Sequence, residues 1–179
     1  VMISREEDII LIADEVQVGN GRSGKLYGYM NYGFTPDVVT TAKGIGGGLP
    51  IGITMLGEKL KDVFTPGLNG STFGGNPICC AGAISILQRI DDKLLEDVSK
   101  KSRYIFSELE GANGVESVTG MGLMIGVKTV KDAKAVVSEC IANGALVLTA
   151  KDKIRLLPAL NIPFDLLEKA ISILKKACV

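Results

Sequence analysis

Apolar residues come in short runs through the first third of the chain and in a helical period after it. Asp8 to Ala13, Asp37 to Thr41 and Gly52 to Leu56 are brief apolar segments between polar or glycine-rich connections, a pattern that predicts three strands of a buried sheet. From Pro77 to about Glu110 the pattern becomes helical. Leu94, Val98, Ile105 and Leu109 fall on one broad face, and Asp91-Asp92 marks a break, so a long helical bridge between two domains is expected. Beyond Gly111 the predicted order is a strand from Val115 to Lys128 interrupted at Gly120 to Gly122, a helix, two short strands and a last helix. Ala133, Val136, Val137, Cys140 and Ile141 recur at helical spacing on a face that should pack on a sheet, and Asn143-Gly144 stops that helix. Asp165 followed by Glu168 predicts a capping box opening the last helix, which continues through Leu167, Ala170, Ile171 and Leu174.

These elements describe an α/β protein in two parts: residues 1–91 as the end of a larger sheet domain, and residues 92–179 as a smaller α/β domain. The chain opens without an initiator Met in what reads as the tail of a helix. Three strands are few for an open sheet covered on both faces. The expectation is that the N-terminal half of a larger domain is missing, leaving apolar sheet surface exposed near Val1.

Composition narrows the function. The 179 residues are 46% apolar, and Lys plus Arg balance Asp plus Glu at 20 each. No net field favours nucleic acid or an anionic membrane. No apolar run approaches the roughly 20 residues that span a bilayer, and the first residues lack the pattern of a signal peptide, so a soluble, cytoplasmic protein is expected. Cys79, Cys80, Cys140 and Cys178 lack metal-ligand or disulfide-framework spacing and read as buried reduced thiols, with no metal site. The chain contains no histidine, which excludes Ser-His and Cys-His nucleophilic pairs. Proton transfer must therefore fall to Lys, Asp, Glu, Tyr or a cofactor.

Three segments carry candidate chemistry at nearly equal steps. Asp14 follows Leu11-Ile12-Ala13, Lys43 lies 29 residues further on, and Thr72 another 29 beyond that, in Gly70-Ser71-Thr72-Phe73-Gly74-Gly75-Asn76-Pro77. Such groups, each at a strand end or in a loop, can converge on one ligand. Lys43 precedes Gly44-Ile45-Gly46-Gly47-Gly48, and a Schiff-base lysine needs a partly desolvated pocket with small neighbours that leave room for a flat ring. The alternative is a surface lysine in a flexible loop. Asp14 is either a turn aspartate or a buried carboxylate facing a heteroaromatic nitrogen, which it would keep protonated so that the ring acts as an electron sink. Ser71 and Thr72 offer hydroxyls and approachable N–H groups to a phosphate, or form an ordinary glycine turn ahead of a helix that Asn76-Pro77 starts. Arg155, in Lys153-Ile154-Arg155-Leu156-Leu157-Pro158, is either a salt-bridged structural residue or a bidentate clamp for a substrate carboxylate.

Taken together, Asp14 to Gly24, Pro36 to Gly44, the glycine stretch through Gly52, Gly70 to Pro77 and Arg155 to Pro158 resemble the class III, or ω-amino, branch of the pyridoxal-phosphate-dependent aminotransferases, through almost the whole chain. The resemblance implies the C-terminal part of a fold-type-I large domain followed by the small C-terminal α/β domain. It implies that Lys43 binds pyridoxal 5'-phosphate as a Schiff base and then moves the proton between substrate and cofactor carbon. Asp14 would hold the pyridine nitrogen protonated, Val16 would pack on a ring face and Gln17 would reach the ring hydroxyl. Ser71 and Thr72 would contact the cofactor phosphate of the neighbouring subunit in a homodimer, and Arg155 would bind the α-carboxylate of 2-oxoglutarate or glutamate.

Members of the family are roughly twice this length, so the chain reads as a C-terminal half. The main phosphate loop, the aromatic residue that stacks on the ring, a second carboxylate-binding arginine and the glutamate that screens Arg155 would lie in the other half, and this part would be inactive alone. Gly46 to Gly52 and the short C-terminus are most similar to the branch that transfers the ω-amino group of N-acetylornithine to 2-oxoglutarate. Ornithine, succinylornithine and 4-aminobutyrate stay open as donors. So do a non-catalytic cofactor-binding or assembly module and a stand-alone interaction domain from about Asp92 onward.

Overall fold

The computed structural model describes residues 6–179 and divides them into two compact units: one running up to Gly21 and again over Lys25–Asp92, the other comprising Arg22–Gly24 and Lys93–Val179. The helix tail expected at the start of the chain falls largely on residues 1–5, outside the described residues.

The first unit holds a three-stranded sheet in the order β1 (Ile12–Asp14), β2 (Val38–Thr41), β3 (Ile53–Leu56). β1 runs parallel to β2, with Ile12 opposite Val38 and Asp14 opposite Thr40, and β3 returns antiparallel to β2. The central strand is the buried one: Val38, Val39 and Thr41 are shielded from solvent. β1 departs from expectation. It is shorter than the run Asp8 to Ala13 that the apolar pattern suggested, Asp14 is its last residue, and Ile12 is 61% exposed. As an edge strand paired only to β2, it leaves Ile12 largely uncovered by the described residues, and Ile9 and Ile10 are exposed beside it. Exposed apolar surface at this end matches the sequence expectation.

A 3-10 turn over Lys43–Gly46 follows β2, and α1 (Pro77–Leu87) packs on it. Asn76 caps α1, its Oδ1 accepting the N–H groups of Ile78 and Cys79, while Pro77 takes the first helical position, where a missing N–H costs nothing. Ile45 on the turn and Cys79 and Ala83 on the helix are buried, and Gly82 lets the helix approach Leu49: a Cβ there would stand 2.7 Å from Leu49 Cδ1.

The second unit is an antiparallel sheet of β4 (Val115–Met121), β5 (Met124–Thr129), β6 (Leu148–Ala150) and β7 (Lys153–Leu156), in the order β4-β5-β7-β6. With it come α2 (Asp92–Leu109), α3 (Ala133–Ala142) and α4 (Phe164–Cys178). Ile125, Val127, Ile154 and Leu156 form one core with Val98, Ile105 and Leu109 of α2, Val136 and Cys140 of α3, and Leu167, Ile171 and Leu174 of α4. Alternation in β7 puts Ile154 and Leu156 in this core and sends Arg155 to the other face.

Three local expectations shift. Ile141 of α3 is 49% exposed, because Ala133, Val136 and Cys140 already form the packed stripe and a position eight residues along drifts off it. The last helix begins at Phe164 with Pro163 in the cap position and no side-chain cap, so Asp165 lies in the first turn as a favourable charge rather than as a capping residue. The interruption expected at Gly120 to Gly122 narrows to Gly122-Leu123, a β-hairpin turn joining β4 to β5, with Gly120 and Met121 paired in the ladder.

Candidate active site

Asp14 and Lys43 leave the sheet at one edge. Their strands are adjacent and parallel, Asp14 stands opposite Thr40, and Lys43 follows the end of β2 by two residues, so both side chains start from the carboxyl ends of neighbouring strands. Ligands of open α/β sheets bind along this edge. The Asp14 carboxylate turns onto the chain after it, Oδ1 accepting the Val16 N–H at 3.1 Å, which orders the turn that carries Val16 and Gln17, both half-buried.

Lys43 is held by its neighbours. Its φ of 52° lies in the left-handed region, unusual for a residue with a Cβ and maintained only where the surroundings enforce it. Two anchors do so. Asn20 Nδ2 donates to the Ala42 carbonyl at 3.2 Å and to Thr41 Oγ1 at 2.9 Å, and Ile45, fully buried, donates its N–H to the same Ala42 carbonyl. Asn20 Oδ1 is buried without a hydrogen-bond partner. Glu15, next to Asp14, is buried too, and its carboxylate accepts the N–H groups of Gly28 and Tyr29, both at 2.8 Å. That bond pair closes the loop between β1 and β2 on which Asn20 stands.

The desolvated pocket expected around Lys43 is not formed by this chain's described residues. Lys43 and Asp14 are exposed, and a Cβ at Gly44 or Gly48 would meet nothing within 4 Å. This open space beside an amine, with a carboxylate on the next strand, suits a flat heteroaromatic ring, so the residues present fit pyridoxal phosphate.

Ser71 and Thr72 lie in an exposed loop of the same unit ahead of α1, where the Gly74 N–H bonds the Ser71 carbonyl at 3.2 Å. No hydrogen bond recorded among the described residues links either to Asp14 or Lys43. Arg155 belongs to the second unit. It stands on β7 between Gly126 of β5 and Leu148 of β6, its Nε is buried without a hydrogen-bond partner, and it pairs with no described carboxylate. It is among the residues around a cavity of about 390 Å³ lined largely from the core face, by Ile105, Leu156, Leu167, Ile171 and Leu174 among others. Sequence reasoning assigned no role to Glu15, Asn20 or Arg22. Their signal, three polar residues close together after a short strand in a connection too short of apolar residues to bury itself, becomes specific only with the hydrogen bonds in view.

Comparison with known proteins agrees with this layout. The family model for aminotransferase class-III matches residues 2–178. Acetylornithine aminotransferase of Haemophilus ducreyi is 42% identical over 94% of this chain and 43% of its own length, and that of Clostridium acetobutylicum is 41% identical over 96% and 46%. Among solved structures, acetylornithine aminotransferase from Elizabethkingia anophelis superposes with a TM-score of 0.90 at 31% identity, over 98% of this chain and 47% of that one. The ornithine aminotransferase of Toxoplasma gondii gives 0.90 at 29% identity, over 99% and 45%. The chain thus spans a little under half the length of the relatives it matches. With the family model covering nearly all of its residues, the chain belongs to the class-III aminotransferases, a family of pyridoxal-phosphate-dependent enzymes.

Proposed function

We propose that a protein containing this chain transfers the ω-amino group of N-acetylornithine to 2-oxoglutarate, giving N-acetylglutamate semialdehyde and glutamate. The observation that carries the reading is the placement of Asp14 and Lys43 at the carboxyl ends of adjacent parallel strands beside an open glycine stretch. The names of the relatives, acetylornithine aminotransferases at about 40% identity, favour this donor over ornithine, succinylornithine or 4-aminobutyrate. Residues up to 91 act in this reading as the end of the cofactor-binding domain, and those from 92 onward as the small domain.

Bound pyridoxal phosphate supplies a carbonyl that condenses with amines and a ring that delocalises the carbanion left when the substrate carbon loses its proton. Lys43 would hold the cofactor through its amine and, with that amine freed by the amino donor, would carry a proton from the amine-bearing substrate carbon to the cofactor's aldehyde carbon. Asp14 keeps the ring nitrogen protonated, Val16 supports a ring face and Gln17 donates to the ring hydroxyl. Ser71 and Thr72 serve the phosphate of a second subunit, which makes the active form a homodimer. Arg155, whose charge no described carboxylate neutralises, takes the α-carboxylate of 2-oxoglutarate in a bidentate grip.

The test is amino transfer by the full-length protein over a panel of ω-amines with 2-oxoglutarate, beside its Lys43→Ala variant. Turnover highest with N-acetylornithine and absent in the variant is expected. Equal turnover by the variant removes the reading, and preference for another donor replaces the substrate alone.

A further inference from the structure

Arg22 lies in a half-buried position where it has no described acidic partner. One of its terminal nitrogens, Nη1, donates to two backbone carbonyls, that of Leu123 at 3.2 Å and that of Pro158. The Leu123 N–H returns a bond to the Arg22 carbonyl at 2.9 Å, and a Cβ on Gly122 would stand 2.2 Å from that oxygen. Burial depresses the Arg22 pKa below its ordinary value. Taking a guanidinium out of water without a counter-charge is costly, so its carbonyl acceptors must be held in place for it to stay.

The two acceptors sit at the same end of one ladder. Leu123 is in the turn that leads into β5, and Pro158 lies two residues beyond β7. β5 and β7 pair directly, Ile125 opposite Leu156 and Gly126 opposite Arg155. A second cation holds the same stretch: Lys101 of α2, only 3% exposed and ion-paired to Asp97, donates to the Leu160 carbonyl at 3.0 Å. The segment that follows Arg155 is therefore pinned at two carbonyls two residues apart, each by a basic side chain distant in sequence.

We propose that Arg22 is a positioning residue for Arg155: by tying the Pro158 carbonyl to the β4–β5 turn it fixes the end of β7 and with it the direction in which the Arg155 guanidinium meets a dicarboxylate acceptor. The inference rests on the reading of Arg155 as the clamp for 2-oxoglutarate. A lysine at position 22 keeps a charge, a long stem and a nitrogen able to donate to both carbonyls, but gives up the rigid planar end that fixes where that nitrogen sits.

The experiment is steady-state kinetics of the full-length enzyme carrying Arg22→Lys, Arg22→Met, Lys101→Met or Arg155→Lys, with the amino donor and 2-oxoglutarate varied separately and thermal midpoints recorded. Arg22→Met is expected to raise KM for 2-oxoglutarate about tenfold, with smaller changes in kcat and in KM for the amino donor; Arg22→Lys should recover part of the loss, and Lys101→Met should move the same KM by a smaller factor. If Arg22→Met does not fold, Arg22→Lys is expected to show the same selective rise. Should Arg155→Lys raise KM for 2-oxoglutarate while neither Arg22 variant does, the positioning role is overturned and the clamp stands. An unchanged KM in Arg155→Lys removes the clamp, and the positioning role with it. A fall in midpoint with kcat and both KM values shifted alike shows a merely structural arginine and also overturns the proposal.

Discussion

The Asn20 side chain and the Ala42 carbonyl are joined by a hydrogen bond of 3.2 Å, which places an amide from the β1–β2 connection directly against the residue before Lys43. Asn20 itself has a φ of 58°, which asparagine tolerates better than most residues. Asn20→Ala therefore loses two hydrogen bonds and adds backbone strain, at a cost of about 2–3 kcal/mol, whereas Asn20→Gly loses the bonds alone and should cost less. Chemical denaturation of the two variants checks the order; Ala more stable than Gly contradicts it.

Glu15 accepts two backbone N–H groups from a buried position, and a carboxylate supplies both acceptors where a carboxamide supplies one. Glu15→Gln turns an amide NH2 toward the N–H of Gly28 or Tyr29 and is expected to destabilise by about 2 kcal/mol, with Glu15→Ala worse, since it leaves both donors unpaired. Differential scanning calorimetry of the purified variants provides the measurement.

Gly122 allows the return bond between Leu123 and Arg22. Its φ is 57°, and a Cβ would meet Arg22 O at 2.2 Å and Ser23 Cα at 2.7 Å, backbone atoms that cannot swing aside. Gly122→Ala should cost about 2–4 kcal/mol, combining strain with the displaced Arg22–Gly24 segment. A urea midpoint within experimental error of the parent chain would contradict the described packing.

Burial pushes the Cys140 thiol up from 9.0 to about 11, with Cys178 and Glu139 adding to it. The raised pKa means that the folded state favours the protonated thiol. Its contribution to stability is complete below pH 9 and is lost as the pH rises toward 11, because the unfolded chain ionises first. Subtracting the pH dependence of a Cys140→Ala variant should isolate a loss of about 2–3 kcal/mol across that window. At neutral pH, Cys140 and Cys178, both fully packed, should resist a thiol reagent in the native protein while the half-buried Cys80 reacts first.

Element order in the second unit was readable because amphipathic period and stop signals agree there: Val136 and Cys140 of α3 and Ile171 and Leu174 of α4 recur at helical spacing, and all are buried. The first unit was harder. Ile9, Ile10 and Ile12 read as a buried strand since apolar runs ordinarily lie inside a sheet, yet they belong to an edge or flank it, and burial at an edge depends on a neighbour that local pattern cannot reveal. At the candidate site, Asp14 and Lys43 were readable from residue type and position after apolar runs. The groups that hold Lys43, Asn20 and Ile45, were not, because their work is done through backbone carbonyls and leaves no charge pattern. Lys101 stood on the apolar face of α2 among Val98, Ile105 and Leu109, an apparent break in the pattern explained only by its bonds to Asp97 and Leu160.

The backbone joins the second unit at Arg22, leaves it after Gly24 and returns at Lys93. A single crossover near residue 92 between two genes of this family would therefore transplant most of that unit while leaving three of its residues native to the recipient. The incoming Leu123 and Pro158 carbonyls would meet a resident Arg22 shaped for another turn. Selection on such hybrids acts jointly on the short motif and on a sheet encoded about a hundred codons downstream, so the two should drift together in evolution and chimeras cut at that point should inherit the mismatch.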